Sequence, residues 1–261
     1  MASLQNHPFQ DVVNTAACTQ LFAFDASGER LTWNLDERQS GIRPETFPPC
    51  RCSPQYEQRP NYSGLYPFPG QAKMVMFESL TEMRCLMELE HGGEVGTIAA
   101  QPFGLVFLDG SMHYPDFAAR MHTGETCIID VKPEEFATGG KFLRIENLTR
   151  QVCKVQKWEY RVMHGPVGWR ADNLEWMFAF RFAEYKPLPE ATARVLAALS
   201  NPQTMRFAAE TIDPRMHLGL GYAFLSNMLF NRQVVPCEPG PFHPDLLILG
   251  VFGSGAVGAP T

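Results

Sequence analysis

The chain has 261 residues, of which 45% are hydrophobic and 19% are charged. These values are typical of globular proteins and exclude wholesale disorder, and the length favours one core domain with a small appendage. The formal net charge of −6 argues against a protein that binds nucleic acid through its overall charge. If a chain of this charge binds nucleic acid, either its basic residues are clustered or partner proteins supply the affinity, and of these two explanations we favour the second.

The N-terminal part is predicted to contain a β-hairpin followed by an irregular segment. Residues 18–34 hold two short apolar runs joined by a turn at Asp25-Ala26-Ser27-Gly28. Residues 35–73 are rich in proline, arginine and glutamine, so we expect them to be largely irregular and to wrap the surface. Residues 1–73 are therefore assigned to an N-terminal hairpin and wrapping segment.

A helix is predicted over residues 74–90. Its apolar residues recur at helical spacing and indicate one buried face, formed by Leu80, Met83, Leu86, Met87 and Leu89. Glu82 lies about 40° around this helix from Leu86, since each residue turns the helix by about 100°, and it therefore sits at the edge of the buried face. Glu78 comes one turn earlier on a similar face. Two glutamates on a helix most often form a solvated surface, so their position alone decides nothing.

Four strands, a second helix and a last strand are predicted next. The strands lie near residues 95–100, 104–108, 116–120 and 127–131, the helix covers about 141–157, and the last strand covers 160–163. The second helix carries five basic residues: Lys141, Arg144, Arg150, Lys154 and Lys157. They form either an ordinary solvated surface or a face that contacts phosphates, and the sequence leaves both open. Residues 74–184 are assigned to an α/β core in which helices flank a mixed central sheet.

The C-terminal part is predicted to be a small helical module with two short strands. Helices are expected at residues 191–199, 204–210 and 215–230, and strands at 233–236 and 246–249. Three helices followed by a two-stranded wing favour a winged-helix-like module over residues 185–252. Its third helix contains few basic residues, so we expect it to dock proteins rather than to read a DNA groove. Residues 253–261 are expected to form a flexible tail.

Seven cysteines are scattered along the chain. Cys50 and Cys52 have the wrong spacing for a common zinc knuckle, and we expect Cys85, Cys127 and Cys153 to be buried thiols. The N-terminus has no basic region followed by an apolar core, and no run approaches the roughly 18 apolar residues of a membrane span. We therefore expect a protein of the reducing cytoplasm with no membrane partner.

Two short segments carry residues suited to metal-dependent phosphodiester cleavage. Tyr114-Pro115-Asp116-Phe117 lies at one predicted strand, and Asp130-Val131-Lys132 ends the next. Asp130 and Lys132 are two residues apart on a strand, so both side chains are expected to project from one face. The aspartates can then hold magnesium while the lysine reaches the scissile phosphate or the attacking water. Such short motifs recur by chance in unrelated proteins, so the evidence for a cleavage site depends on the order of the surrounding elements.

With these pieces in this order, the sequence resembles the TnsA-like endonuclease subunits of heteromeric transposases, which belong to the PD-(D/E)xK restriction-endonuclease-like superfamily. The resemblance covers about residues 61–182 and is looser outside that stretch. The matching segments are residues 62–66, 77–82, 100–103, 114–117, 130–133, 158–162 and 173–176. The resemblance implies a restriction-endonuclease-like core over residues 74–184, followed by the winged-helix-like module.

The resemblance also assigns the residues of the site. Glu82, Asp116 and Asp130, with the carbonyl of Val131, would bind one or two Mg2+ ions, and Mn2+ is expected to substitute. Lys132 would orient the attacking water or add positive charge beside the same phosphate oxygens. These assignments are expectations from the family and not results of spacing alone.

Two further residues, Glu78 and Gln101, are secondary candidates for the site. Met83 departs from the family pattern, in which a basic residue often follows the glutamate of the S-x-x-E motif. This departure leaves the metal ligands untouched but would weaken a phosphate contact.

The function implied by the resemblance is cleavage of one strand at each end of a mobile element. The partners would be the double-stranded DNA of the transposon ends, a separate DDE transposase that cuts and joins the other strand, and an ATPase regulator that docks on the C-terminal module. A stand-alone restriction or repair nuclease and a non-catalytic assembly subunit stay open as alternatives. A zinc site of His113, His122 and Cys127 is disfavoured because these residues share no short ligand spacing.

Overall fold

The computed structural model describes residues 18–35, 38–51, 62–212 and 217–251. Over these ranges the protein is mixed α/β. The strands are β1 (Cys18–Phe24), β2 (Arg30–Asn34), β3 (Gly64–Tyr66), β4 (Val75–Phe77), β5 (Val95–Ala100), β6 (Gly104–Phe107), β7 (Met112–His113), β8 (Phe117–Met121), β9 (Thr126–Val131), β10 (Glu159–Met163), β11 (Gln203–Thr204), β12 (Val234–Pro236) and β13 (Leu247–Gly250). The α-helices are α1 (Leu80–Gly92), α2 (Gly140–Gln156), α3 (Trp169–Ala179), α4 (Pro189–Ala198), α5 (Met205–Ile212) and α6 (Leu218–Phe230).

The chain forms two compact units, and each combines segments that are distant in sequence. The first contains the described residues up to 51, together with residues 70–75 and 96–163. The second contains residues 62–69, residues 76–95 and the described residues from 164 onward. The division of the chain into consecutive segments at residues 73, 184 and 252 stays a prediction.

The N-terminal hairpin is confirmed. β1 and β2 pair antiparallel, and Phe24 lies opposite Arg30 next to the turn. Asp25 closes this turn, because its carboxylate accepts hydrogen bonds from the backbone N–H groups of Ser27 at 2.8 Å and Glu29 at 2.9 Å. β1 also pairs antiparallel with β6, and β6 with β7, so this sheet of the first unit has the order β2-β1-β6-β7.

A second sheet in the first unit has the order β10-β9-β8-β5. β8 is antiparallel to β9, whereas β9 is parallel to β10. A parallel pair needs a crossover connection, and α2 lies in the chain between β9 and β10. Every residue of β9 except Val131 is buried, which explains why Cys127-Ile128-Ile129 forms a continuous apolar run. The predicted strands near residues 95–100, 104–108, 116–120, 127–131 and 160–163 and the helix at 141–157 are confirmed.

The predicted start of the first helix at residue 74 is wrong. Residues 75–77 form the strand β4, and α1 begins at Leu80 because Ser79, in extended backbone, caps it. The Ser79 hydroxyl accepts a hydrogen bond from the backbone N–H of Glu82 at 3.1 Å. The helix ends at Gly92, and Gly93 follows as its C-cap with a positive φ of 68°, which suits glycine. Glu78 therefore precedes the helix and does not lie on its face.

The second unit contains a helix for which the sequence pattern predicts no element, α3. Asn173 of α3 is nearly buried, and its side chain bonds to the chain near residue 240, donating to the Gly240 carbonyl at 2.8 Å and accepting from the Phe242 N–H at 2.9 Å. α5 and α6 pack very closely, since a Cβ placed on Gly221 would lie 2.4 Å from the carbonyl oxygen of Ala209. Only a glycine allows this approach without a shift of the backbone.

The C-terminal elements of the second unit agree with the sequence pattern. α4, α5 and α6 correspond to the three predicted helices, and β12 and β13 correspond to the two predicted strands. These two strands pair antiparallel, and the short strand β11 adds to β13, so the sheet order is β11-β13-β12. The predicted start of the third helix at Arg215 and the tail at 253–261 lie outside the described residues, as do parts of the wrapping segment 35–73.

Cys85, Cys127 and Cys153 are buried thiols, which confirms that prediction. Within the described ranges, none of the helices combines the length and the apolar character that crossing a bilayer requires.

Candidate functional site

The structure brings the two segments of the cleavage motif together in the first unit. β8 and β9 pair antiparallel with Phe117 opposite Ile129, so Asp116 lies at the end of β8 beside the end of β9. The Asp116 carboxylate accepts a hydrogen bond from the backbone N–H of Val131 at 2.6 Å. Asp116 is thus bonded to the residue that stands between Asp130 and Lys132.

Asp130 is buried, with 2% of its surface exposed, and its carboxylate is held by two side chains. The Nε2 atom of His113 lies 3.0 and 2.9 Å from its two oxygens. The hydroxyl of Tyr160 donates a hydrogen bond to one of these oxygens at 2.6 Å. Burial raises the pKa of Tyr160, and the negative charge of Asp130 raises it further, so the phenol stays protonated and remains a donor.

Lys132 follows β9 directly and has a different environment. Its backbone N–H donates to the carbonyl of Met163 at 2.9 Å, which continues the contact with β10. Its ammonium group lies 5.8 Å from the ring centre of Phe136 and 5.6 Å from that of Phe142. Two aromatic faces attract a cation and restrict where it can move. Asp130 contacts His113 and Tyr160, whereas Lys132 lies beside Phe136 and Phe142, although only Val131 stands between the two residues in the chain.

Gln101 is bonded to the backbone of Asp116. Its N–H donates to the Asp116 carbonyl at 2.8 Å, and its own carbonyl accepts from the N–H of Cys50 at 2.8 Å. Its side-chain oxygen accepts from the Nε of Arg51 at 3.1 Å. Gln101 is 2% exposed and has a φ of 44°, in the left-handed region that non-glycine residues rarely adopt.

Glu82 and Glu78 belong to the second unit, whereas Asp116, Asp130 and Lys132 belong to the first. The Glu82 carboxylate accepts hydrogen bonds from the Glu78 backbone N–H at 2.7 Å and from the Ser79 hydroxyl at 3.0 Å. Together with the bond from the Glu82 N–H to Ser79, these contacts form a variant of the capping box. The S-x-x-E motif therefore has a structural explanation in addition to the catalytic one that the resemblance implies.

Three residues around the motif were not predicted as its partners: His113, Tyr160 and Arg51. The position of His113 on β7, a strand of the other sheet in this unit, carries no local sequence signal for a contact with Asp130. Tyr160 lies on β10 opposite Ile128, two residues before Asp130, and only the pairing of β10 with β9 brings it to the Asp130 carboxylate.

The donor chemistry at Asp116 fits magnesium, since a carboxylate supplies the hard oxygen ligands that this ion prefers. Asp130 also carries carboxylate oxygens, and both of them contact protein side chains. Among the residues that the structure describes, no three His, Cys, Asp or Glu side chains lie close enough together to hold a metal ion.

Comparison of the chain with known proteins gave no match, either to a protein-family model or to a curated protein.

Proposed function

We propose that the protein is a magnesium-dependent DNA endonuclease subunit of a heteromeric transposase, which hydrolyses one phosphodiester bond at each transposon end. The observation that carries this proposal is the hydrogen bond from the Val131 N–H to the Asp116 carboxylate. It joins the Pro115-Asp116 and Asp130-Val131-Lys132 segments on neighbouring strands, as a PD…DxK cleavage site requires.

The order of elements supports a restriction-endonuclease-like core. α1, β5, β8, β9, α2 and β10 follow one another in the chain in the helix, strands, helix and strand order of that core, with the short pair β6 and β7 inserted after β5. β5, β8, β9 and β10 lie in one sheet, and β10 is parallel to β9. The chain order of α4, β11, α5, α6, β12 and β13 supports a winged-helix-like module in the same way.

In this proposal the Asp116 carboxylate would hold the magnesium ion, and the backbone carbonyl of Val131 would be a second ligand of the same ion. Glu82 is included on the sequence resemblance alone, and Asp130 would have to exchange a contact with His113 or Tyr160 to become a ligand. Bound magnesium would supply an activated water and neutralise charge on the phosphate. The ammonium group of Lys132, restricted by two aromatic rings, would hold a phosphate oxygen of the substrate.

The exposed face of α2 is the proposed path of the DNA backbone. Residues 140–157 contain five of the 22 Lys and Arg residues of the chain but only one of its 28 Asp and Glu residues, so this surface is basic in a chain of net charge −6. Arg144 is paired with Asp109 and Arg150 with Glu146, whereas Lys141, Lys154 and Lys157 are exposed. Lysines on one surface attract phosphates without reading sequence.

The C-terminal module is proposed to dock the ATPase regulator or the DDE transposase. α6 contains no charged residue, and its second half is buried. A helix of this kind cannot neutralise phosphates in a DNA groove. We therefore propose that partner proteins supply the specificity for transposon ends.

A non-catalytic assembly subunit is the second candidate function. It is favoured by the contacts of Asp130 with His113 and Tyr160 and by the capping role of Glu82, since both acids have structural explanations. Nicking of a labelled transposon-end duplex with magnesium, by the protein together with its partner subunits, separates the two functions.

Lys132→Ala is expected to lower the nicking rate by on the order of 10²-fold or more, because a positioned charge is lost at the transition state. Metal binding should be close to that of the unchanged protein, because lysine contacts the phosphate and not the ion. Calorimetric titration with manganese checks this. Lys73→Ala, which removes an exposed lysine elsewhere in the first unit, is the control. A collapse of manganese affinity in Lys132→Ala would mean that Lys132 is structural.

Replacing Lys141, Lys154 and Lys157 by glutamine is expected to weaken DNA binding uniformly across sequences. The slope of the logarithm of the binding constant against the logarithm of salt concentration should become less negative by about 2.7, or about 0.9 for each lost phosphate contact. Fluorescence anisotropy at several salt concentrations measures the slope. The control variant replaces Arg38, Lys73 and Lys186 by glutamine, so it loses the same amount of positive charge. An equal effect in both triple variants would contradict a DNA path along α2.

A further inference from the structure

The buried carboxylate of Asp130 connects the two four-stranded sheets, because it has one partner on each of them. Tyr160 lies on β10, next to the strand of Asp130, and its hydroxyl donates to one carboxylate oxygen at 2.6 Å. His113 lies on β7 of the other sheet, and its Nε2 atom lies 3.0 and 2.9 Å from the two oxygens. The two partners differ in how firmly the structure holds them.

The contact with Tyr160 is fixed by the packing around it. Tyr160 is 9% exposed and belongs to the hydrophobic core of the first unit. The guanidinium group of Arg150, which is paired with Glu146, lies 5.0 Å from the centre of the Tyr160 ring. β10 also pairs with β9 along its whole length, so Tyr160 and Asp130 lie on one continuous pair of strands. The hydroxyl therefore stays at the carboxylate when other elements shift.

The contact with His113 is easier to exchange. β7 has only two residues and lies at an edge of its sheet, and Met112, the other residue of this strand, is 49% exposed. The side chain of His113 is 19% exposed, whereas that of Asp130 is 3% exposed. Short edge elements with few buried contacts open at a lower free energy than the core of a protein. The imidazole can therefore turn toward water while Tyr160 and Asp130 stay in place.

His113 occupies acceptor positions that a metal ion would also use. A carboxylate binds a divalent cation through the lone pairs of its oxygens. The Nε2 atom of His113 contacts both oxygens of Asp130, whereas the Tyr160 hydroxyl contacts one of them. An ionised carboxylate only accepts hydrogen bonds, so Nε2 is then the donor. Asp130 can thus exchange a donated N–H for a cation and keep its negative charge compensated.

We infer that Tyr160 is a positioning residue for Asp130 and that His113 is the contact that Asp130 gives up when it binds a divalent metal ion, roles that rest on the proposed function. Carboxylates that bind metals are themselves oriented by hydrogen bonds from a surrounding set of side chains. The Tyr160 hydroxyl supplies such a bond. His113 compensates the buried charge of Asp130 as long as no ion is bound, because a buried charge without a partner destabilises a protein.

Tyr160→Phe tests the positioning role, because phenylalanine removes the hydroxyl and keeps the ring. Calorimetric titration of the full chain with manganese should show binding weakened by about 10- to 100-fold. Tyr66→Phe is the matched control, since the Tyr66 hydroxyl donates to the Glu90 carboxylate at the same distance of 2.6 Å in the second unit. Thermal unfolding should show a loss of stability in both variants, whereas the control should bind manganese like the unchanged protein. Equal manganese affinities in the two variants would overturn the role of Tyr160.

His113→Asn and His113→Gln test the exchanged contact. Glutamine can bring its amide nitrogen near the position of Nε2, whereas asparagine is about one bond too short to reach it. We expect His113→Asn to tighten manganese binding by on the order of 10-fold, because Asp130 no longer has to give up a hydrogen bond to bind the ion. His113→Gln should bind manganese almost like the unchanged protein, and His113→Ala replaces the asparagine variant if that variant does not fold.

A manganese affinity of His113→Asn that is equal to or below that of the unchanged protein would overturn the role of His113. In the background of Asp130→Asn, Tyr160→Phe should have no further effect on manganese binding, because Tyr160 acts only through Asp130. If the unchanged protein and its partner subunits nick no DNA, the proposed function fails, and the order of the manganese affinities still decides the inference. Absence of manganese binding in every variant would overturn it.

Discussion

Asp116→Asn is expected to abolish strand cleavage and to leave the fold intact. Asparagine keeps a side-chain oxygen that can accept the hydrogen bond from the Val131 N–H, which Asp116 accepts at 2.6 Å. It removes the negative charge, and magnesium binds a neutral amide oxygen far less strongly than a carboxylate. Nicking of a transposon-end duplex with magnesium and thermal unfolding of the same preparation measure the two effects. Unchanged cleavage with an intact fold would exclude Asp116 from the site.

Asp130 is a less direct test of catalysis, because its carboxylate is buried. From the sequence, Asp130→Ala would be expected to abolish cleavage and to leave the fold intact. The structure changes the second expectation, since alanine would leave the Tyr160 hydroxyl and His113 without their acceptor. A buried polar group that loses its partner costs about 1–3 kcal/mol of the free energy of unfolding. Asp130→Asn, which keeps one acceptor oxygen, is therefore the better variant for the cleavage assay.

Arg181→Ala is expected to lower the free energy of unfolding of the second unit by about 3–5 kcal/mol. The Nε of Arg181 lies 3.3 Å from the Glu90 carboxylate, and the two side chains are only 8% and 9% exposed. Tyr66 donates to the same carboxylate at 2.6 Å. Alanine would leave the Glu90 charge buried without its cation. It would also remove the guanidinium from the ring faces of Phe178 and Phe182, whose centres lie 3.6 and 4.1 Å away.

Thermal or urea unfolding measures this loss, and a second ion pair of the same unit supplies the control. The Nε of Arg84 lies 2.7 Å from the Glu175 carboxylate, but the two side chains are 29% and 40% exposed. Arg84→Ala should therefore lower the free energy of unfolding by no more than about 1 kcal/mol. The double variant Glu90→Leu with Arg181→Met should recover much of the stability, because no unpaired charge stays buried. Equal losses of unfolding free energy in Arg181→Ala and Arg84→Ala would show that the buried pair of Glu90 and Arg181 stabilises the unit no more than the exposed pair does.

Elements with local signals could be predicted from the amino-acid sequence. Alternating or continuous apolar runs predicted the strands β5, β6, β8, β9 and β10, and helical spacing predicted α2 and the three C-terminal helices. The hairpin at the N-terminus followed from its turn residues. The predicted start of the first helix, residue 74, is wrong, although the sequence contains the capping signal Ser79-Leu80-Thr81-Glu82. α3 follows a segment rich in glycine and proline, which hid its beginning.

Contacts between side chains that are far apart in the chain could not be predicted in this way. The contact of Asp130 with His113 spans 17 residues and two sheets, and the contacts of Glu90 with Tyr66 and Arg181 join segments that are far apart in the chain. Hydrophobic periodicity reports which face of an element is buried, but it carries no information about the element that covers this face. The pairing of β8 with β9 therefore had to be seen in the structure before Asp116 could be placed beside Val131.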